Sequence, residues 1–437
     1  MNVLSIDDLK HLLRRTEYVV RPDRLAALSA MATPEAVVDD ILNLPTPAVD
    51  DIPVFINHDI DGQGYDQYVY ATQWWVDRMT ESPKAMQEKM TFFWHGHFCS
   101  SAEKVNSSQL MTEQNHLFRT MALGNFRTLT HQMSLQPAML IYLDNIYNYA
   151  SSPNQNFARE LMELFTLGVG NYTEADVTAA ARAWTGHGYD STTNAYFFDP
   201  TDHDDGLKTF MGLTQNFDGP DIIDVILSTR LDKKLVACKF LTRKLWRFFA
   251  YENPAQSLVD ELAQVLFDND LEIRPWVRAM LLHPEFYSVT AKQGMVRSPV
   301  DFVVAVQYAT GLRGTDLNPQ WYFDDMGQDP WNPPNVAGWK TNGYWVNTSE
   351  FSARGDFARD VTWKLRANNG HPIASNGATP TQAADAAAAL FGLELSAASR
   401  NALIQYATAQ NAVPYTHWAE STNLITMAML VPEMHLA

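Results

Sequence analysis

Residues 154 to 168, Asn-Gln-Asn-Phe-Ala-Arg-Glu-Leu-Met-Glu-Leu-Phe-Thr-Leu-Gly, carry the densest set of groups able to do chemistry. On a helix advancing 100° per residue, Phe157, Ala158, Leu161, Met162, Leu164 and Phe165 fill one arc, while Asn156, Arg159, Glu160 and Glu163 gather on the other. Glu160 and Glu163 are close enough to share a cation or a proton. One can therefore act as general acid or base while the other carboxylate, or a cation, tunes its pKa. Asn154 and Asn156 offer amides that orient a carboxylate or a substrate, and Arg159 offers a guanidinium for an anionic or polar substrate group. The same face also reads as wet surface, with Arg159 and Glu163 as an ordinary i,i+4 ion pair.

Three further groups fit around that helix. His95 and His97 are separated by Gly96, a spacing used by zinc and iron sites in extended backbone, and they are the metal candidates, with a divalent ion as the cofactor. The other reading makes them histidines satisfied inside an aromatic cluster. His203-Asp204-Asp205 with Lys208 lies in a turn-rich stretch, where His203, Asp204 and Lys208 are candidates for substrate contact. Asp144, unexplained by local capping, joins Glu160 and Glu163 as a catalytic candidate. His187, behind a glycine cap, is a further cleft-lining candidate. Trp331, Trp339 and Trp345 either form a stacking platform for sugars, with Trp339 touching substrate, or are the core of a loop without secondary structure.

The elements that must position these groups are helices. Apolar periodicity and N-terminal signals predict helices over Ile6–Arg14, Pro34–Leu44, Asp66–Met79, Pro83–His95, Val105–Leu123, Phe126–Ser134, Pro137–Asn145 and Asn156–Leu167. Thr173-Glu174-Ala175-Asp176 resembles a capping box opening a helix that runs to Trp184. Others follow over Pro220–Ser228, Lys233–Phe249, Pro254–Asn269, Ile273–Leu282, Pro299–Thr310 and Ser352–Arg366. Between His187 and Asp218 the runs Ala195–Phe198 and Lys208–Met211 read as the two strands of an inserted β-hairpin around Thr201–Gly206. Phe323 to Thr348, thick with Pro, Gly, Asn and Trp, reads as an irregular aromatic loop. Ala374 to Thr379 reads as a linker before an Ala-rich helix pair. The expected fold is mainly α: a helical core domain over residues 1–373, carrying the hairpin at about 187–218 and the loop at about 323–348, with a C-terminal helical segment, 374–437, packed on it.

Composition narrows the function. The 437 residues are 46% hydrophobic, enough for a large core, and 12 Trp, 17 Tyr and 22 Phe suit an enzyme-sized body or a carbohydrate-contacting surface. A net charge of −18 without a basic block argues against nucleic-acid and anionic-membrane partners. Two cysteines, Cys99 and Cys238, cannot build a disulfide framework or a Cys-rich zinc cage. No apolar run reaches the length of a membrane span. The charged first twenty residues do not read as a signal peptide, so the chain as given reads as cytoplasmic, or as periplasmic or secreted if an export signal has been removed. There is no Gly-x-Ser-x-Gly elbow, phosphate-binding Gly-rich loop, His-Glu-x-x-His or dinucleotide fingerprint.

Several motifs together resemble one bacterial family, the uncharacterised proteins grouped as domain of unknown function 1800. They are Leu9–Arg15, Phe93-Trp94-His95-Gly96-His97-Phe98, Pro137–Asn145, Asn154–Val177, His203-Asp204 with Lys208, Arg297-Ser298-Pro299, and Gly327-Gln328 through Pro333–Trp339. The strongest part is Asn154–Val177, which is similar to that family's Asn-Phe-Ala-Arg-Glu-Leu and Tyr-Thr-Glu-x-Asp-Val signature. The resemblance covers nearly the whole chain and implies no reaction. It implies export for many members, where this chain shows no export signal. The functional expectation is an enzyme with a cleft between the Asn156–Glu163 helix, the His95/His97 segment and the His203 hairpin, hydrolysing a small-molecule, glycan or cell-envelope substrate. The alternative is a non-catalytic helical binding or assembly protein whose polar network is structural.

Overall fold

Helix starts follow local chemistry. Ser5 Oγ accepts the Asp8 amide at 3.1 Å and opens Ile6–Glu17 with a capping box, and Thr173 with Asp176 does the same for Glu174–Ala183. Thr33 and Ser298 cap helices whose first residue is proline, Pro34–Ile41 and Pro299–Thr310. The computed structural model describes residues 3–48, 52, 53, 55, 63–292, 294–367, 378–409 and 418–437. It is mainly α-helical, with two small two-stranded sheets among the described residues. Residues 374–377 of the expected linker lie outside the described residues.

At the centre runs Met86–His97, buried from Met86 to His95. A helix buried all round must match its polar side chains with internal partners. Glu88 takes a bidentate pair from Arg119 at 2.6 and 2.8 Å, Lys89 is paired with Asp301, and Gln87 donates to the Pro45 carbonyl at 3.0 Å. Ser108–Thr120 and Ile6–Glu17 pack against it, and Leu231–Phe249 packs against Gln256–Asp268. Thr348–Ala367 pairs with Trp418–Leu430, and Pro380–Leu390 with Ala397–Ala409. One connected core of buried apolar residues reaches from Leu4 to Met434.

The insert departs from the expected pairing. β1 (His187–Asp190) pairs with β2 (Ala195–Phe198), and β3 (Lys208–Phe210) with β4 (Leu213–Gln215), so there are two hairpins. The two predicted strands sit on different ones, because each finds a closer partner through its own tight turn. Phe210 faces Leu213 across Met211-Gly212, both at positive φ (48° and 80°), as a two-residue hairpin turn requires. His203 and Asp204 therefore lie in the connection between hairpins. The Val105–Leu123 prediction is also split, into Ala102–Val105 and Ser108–Thr120.

The polar helix starts as α over Asn156–Glu160 and widens into a π-helix over Leu161–Thr166. The Leu167 amide donates five residues back to the Met162 carbonyl at 2.8 Å. Such π turns are uncommon and recur at functional sites. The irregular loop lies over the end of the Met86–His97 helix. Gly338, at φ +84°, brings its backbone so close that a Cβ there would sit 2.8 Å from the Gly96 carbonyl oxygen.

Candidate functional site

The residues predicted from the polar helix separate into stitching contacts and one perturbed acid. Arg159 grips Glu174 with two hydrogen bonds of 2.7 Å, so the expected Arg159–Glu163 pair is not formed. The reason is a better bidentate partner on the next helix. Glu163 instead accepts from the Tyr172 hydroxyl. Asn154 Oδ1 accepts the Asn156 amide at 2.9 Å, its Nδ2 donates to the Asp144 carbonyl at 3.3 Å, and its backbone amide donates to Asn148 Oδ1 at 2.7 Å. Asp144, at φ 58°, forms an ion pair with Lys104 at 2.8 Å. Glu160 is half-buried, and burial, then the neighbouring Glu163 charge, push its carboxyl above the ordinary range.

The His203 group closes on the helix beside it. His203 Nδ1 donates to the Thr185 carbonyl at 2.9 Å, Asp204 takes Arg182 in a bidentate pair at 2.6 and 3.0 Å, and buried Lys208 donates to the Asp204 carbonyl and to Asn216 Oδ1. His187 is held between Asp218 and Tyr196, each 2.8 Å away. His95 and His97 turn to separate partners. Nε2 of His95 donates to the Pro330 carbonyl at 2.7 Å and Nε2 of His97 to the Phe165 carbonyl at 3.0 Å. No group of three or more His, Cys, Asp and Glu side chains among the described residues is placed to hold a metal ion.

What the fold does open is a cavity of about 180 Å³ between the end of Met86–His97, the Leu231–Phe249 helix and the aromatic loop. Phe92, Phe93, Phe248, Trp339 and Trp345 give it apolar walls, and Trp339 stacks on Phe92 (6.1 Å, 24°) and on His95 (5.9 Å, 21°). Four cations reach the same space: Arg15, Lys244, Arg247 and Lys340. The one carboxylate in its lining among the described residues, Asp301, is already matched with Lys89. Burial alone would raise Asp301, but Lys89, together with Ser298 and Arg297, outweighs it and holds the carboxyl low. Arg247 has only a loose contact with Glu252, at 3.7 Å.

Two buried lining groups keep unused polar atoms. Arg15 is 5% exposed; its Nη2 donates to the Ala250 carbonyl at 2.6 Å, while Nε has no partner among the described residues. Burial pulls it to about 10, so it stays charged at neutral pH. His97 is 2% exposed, and since a carbonyl only accepts, its Nε2 carries the proton and Nδ1 is an acceptor without a donor among the described residues. Burial, reinforced by Lys244, holds His97 neutral.

Lys244 is the least ordinary of these groups. Its ammonium lies 3.3 Å from the Leu164 carbonyl and 5.4 Å from the Phe240 ring centroid, with no carboxylate partner among the described residues. Burial, with Arg247 adding to it, pulls its pKa down to about 8. The acidic group facing it is Cys99, but burial pushes that thiol up to about 12, so it is uncharged at neutral pH. The π turn serves this arrangement: its Leu164 and Phe165 carbonyls are the acceptors for Lys244 and His97.

Of the residues predicted from sequence, His97, Trp339 and Trp345 line the cavity, while Glu160, Glu163, Asp144, Asn154, Asn156, Arg159, His187, His203, Asp204, Lys208, Trp331 and His95 do not. Arg15, Lys244, Arg247 and Lys340 were not predicted. A signal for Lys244 was present, since it sits at the middle of Phe240-x3-Lys244-x3-Phe248 on an apolar helical stripe. The profile of one protein family, described as "Protein of unknown function (DUF1800)", matches residues 11–436. No curated protein and no solved structure matches the chain.

Proposed function

We propose, from the premise that the chain belongs to the DUF1800 family and that the family names no reaction, that it is an enzyme taking a small anionic substrate into the cavity beside Lys244. The observation that carries this reading is the gathering of Arg15, Lys244, Arg247 and Lys340 around one space in a chain of net charge −18. The cations outnumber the single lining carboxylate, Asp301, which is taken by Lys89, and a buried cation such as Arg15 is costly without a counter-charge that an anion can supply. The aromatic walls suit a ligand with an apolar or planar body and an acidic head. Thermal melting with benzoate and with inorganic phosphate, against benzamide as the uncharged control, tests it. A bound anion at about a hundred times its Kd should raise Tm by ~3 °C in a protein of this size. The rise should shrink in Arg247→Ala. Equal stabilisation by benzamide, or none by either anion, sinks the reading.

A second reading keeps the paired carboxylates as hydrolytic machinery for a carbohydrate or cell-envelope substrate. The raised Glu160 carboxyl beside Glu163 supports it, because a general acid must stay protonated near neutral pH. Glu160→Gln separates it from a structural role: lost glycan hydrolysis with unchanged melting supports the acid, and retained hydrolysis removes it.

A further inference from the structure

Lys244 combines three properties that an ordinary surface lysine lacks. It opens on a cavity, it has no anionic partner among the described residues, and its neighbours on the same stripe are the Phe240 and Phe248 rings. Cations that merely attract an anion are better placed as Arg247 and Lys340 are, toward solvent at the mouth. A desolvated amine deeper than those two is suited to bond formation.

From this geometry, and resting on the anionic-pocket reading, we infer that Lys244 is a nucleophilic amine that forms an imine with a carbonyl compound carrying a carboxylate, a 2-oxo acid in the simplest case. The neutral amine adds its lone pair to the carbonyl carbon and the C=O π pair moves onto oxygen. A proton passes from nitrogen to that oxygen, giving a carbinolamine. Loss of the hydroxyl with a proton as water leaves the C=N bond, and addition of water reverses it. No oxidant or reductant is consumed. Arg247 and Lys340 hold the carboxylate, and the aromatic walls limit water around the C=N bond. His97, in the same lining, is held neutral and adds no charge beside the C=N bond.

The groups facing the amine are Cys99 and His97 from the Met86–His97 end, Arg247 from its own helix and the Leu164 carbonyl from the π turn. Of these only Arg247 is charged at neutral pH, and it favours the free amine. At pH 7.4 an amine at about 8 holds on the order of a hundredfold more unprotonated form than an ordinary lysine.

The test uses the full chain with glyoxylate and sodium cyanoborohydride, which reduces an imine to a stable carboxymethyl-amine, followed by intact mass and peptide mapping. One adduct per chain, placed on Lys244 before exposed lysines react and displaced by excess benzoate, is the expected result. Lys244→Arg, which keeps the charge, and Lys244→Met should both lose that adduct while melting as cooperative folded proteins. Labelling spread over exposed lysines with no preference for Lys244 overturns the imine. If benzoate still stabilises the protein in that case, the anionic pocket stands without a reactive amine. If neither labelling nor anion stabilisation occurs, both fall together.

Discussion

A group that is useful because it is uncomfortable should be visible as a weakness in stability. Lys244 is such a residue, since burial lowers its folded pKa to about 8 from an ordinary 10.5. The usual lysine that gains a partner has a raised pKa; here the sign is reversed. Below about pH 8 both folded and unfolded chains carry the ammonium, and the folded state alone bears its desolvation. Between about 8 and 10.5 the unfolded chain binds the extra proton, so stability rises with pH through that window. Lys244→Met should therefore stabilise the protein at pH 7, by roughly 1–2 kcal/mol once partial solvent screening of the amine is allowed for. That gain should shrink as pH climbs from 8 toward 10.5. Urea melts of both proteins at pH 7 and pH 10 measure it, and a destabilised Met variant at pH 7 would contradict the desolvation account. Loss of function with gained stability is the pattern expected of a strained working residue.

At the scale of elements, the loop matters through where it touches the helix under it. Gly338 is the tightest point of that contact, with positive φ and a Gly96 carbonyl where a side chain would begin. Gly338→Ala should cost about 1–3 kcal/mol and lift Trp339 off Phe92, weakening anion binding beyond the loss of stability. Gly343→Ala, where a Cβ meets nothing within 4 Å, is the control that should leave both intact. Equal effects from the two would remove the contact from the argument. The same elements show what a sequence reader can see. Phe126–Ser134, Ile273–Leu282 and Pro299–Thr310 are found where periodicity and capping put them, because both signals are local. The π turn was not legible: its periodicity is that of an α-helix, and the widening answers to Lys244 and His97 on distant segments. The double hairpin was missed because His187-Gly188-Tyr189-Asp190 and Leu213-Thr214-Gln215 lack the aromatic run that marks Ala195-Tyr196-Phe197-Phe198 as a strand. The paired carboxylates were found on their helix, yet Tyr172 on Glu163 and Glu174 on Arg159 show that face working largely as a seam. The cavity itself is assembled from positions 15, 97, 244 and 339, which no spacing rule links.

Over the whole molecule two fields oppose each other: a net charge of −18 spread over the chain and a few cations at one opening. Their ranges differ, and salt separates them. A chain of this length has a radius of gyration of about 22 Å, while the Debye length is ~30 Å at 0.01 M salt and ~8 Å at 0.15 M. In dilute salt an approaching anion feels the entire negative protein and is repelled. Near physiological salt it feels little beyond the patch before it, where Arg247 and Lys340 attract. Approaching 1 M, with a Debye length of ~3 Å, that local attraction is screened as well. The association rate of an aromatic carboxylate should therefore rise from 0.01 to about 0.15 M salt and fall again above it, while the dissociation rate changes little because the bound contacts are short. Stopped-flow Trp fluorescence can follow this, Trp339 being in the wall. In Arg247→Ala the descending limb should flatten and the ascending limb remain. A rate that only falls with salt would mean that the cationic mouth governs approach at every distance, and the acidic body would then have no part in admitting the ligand.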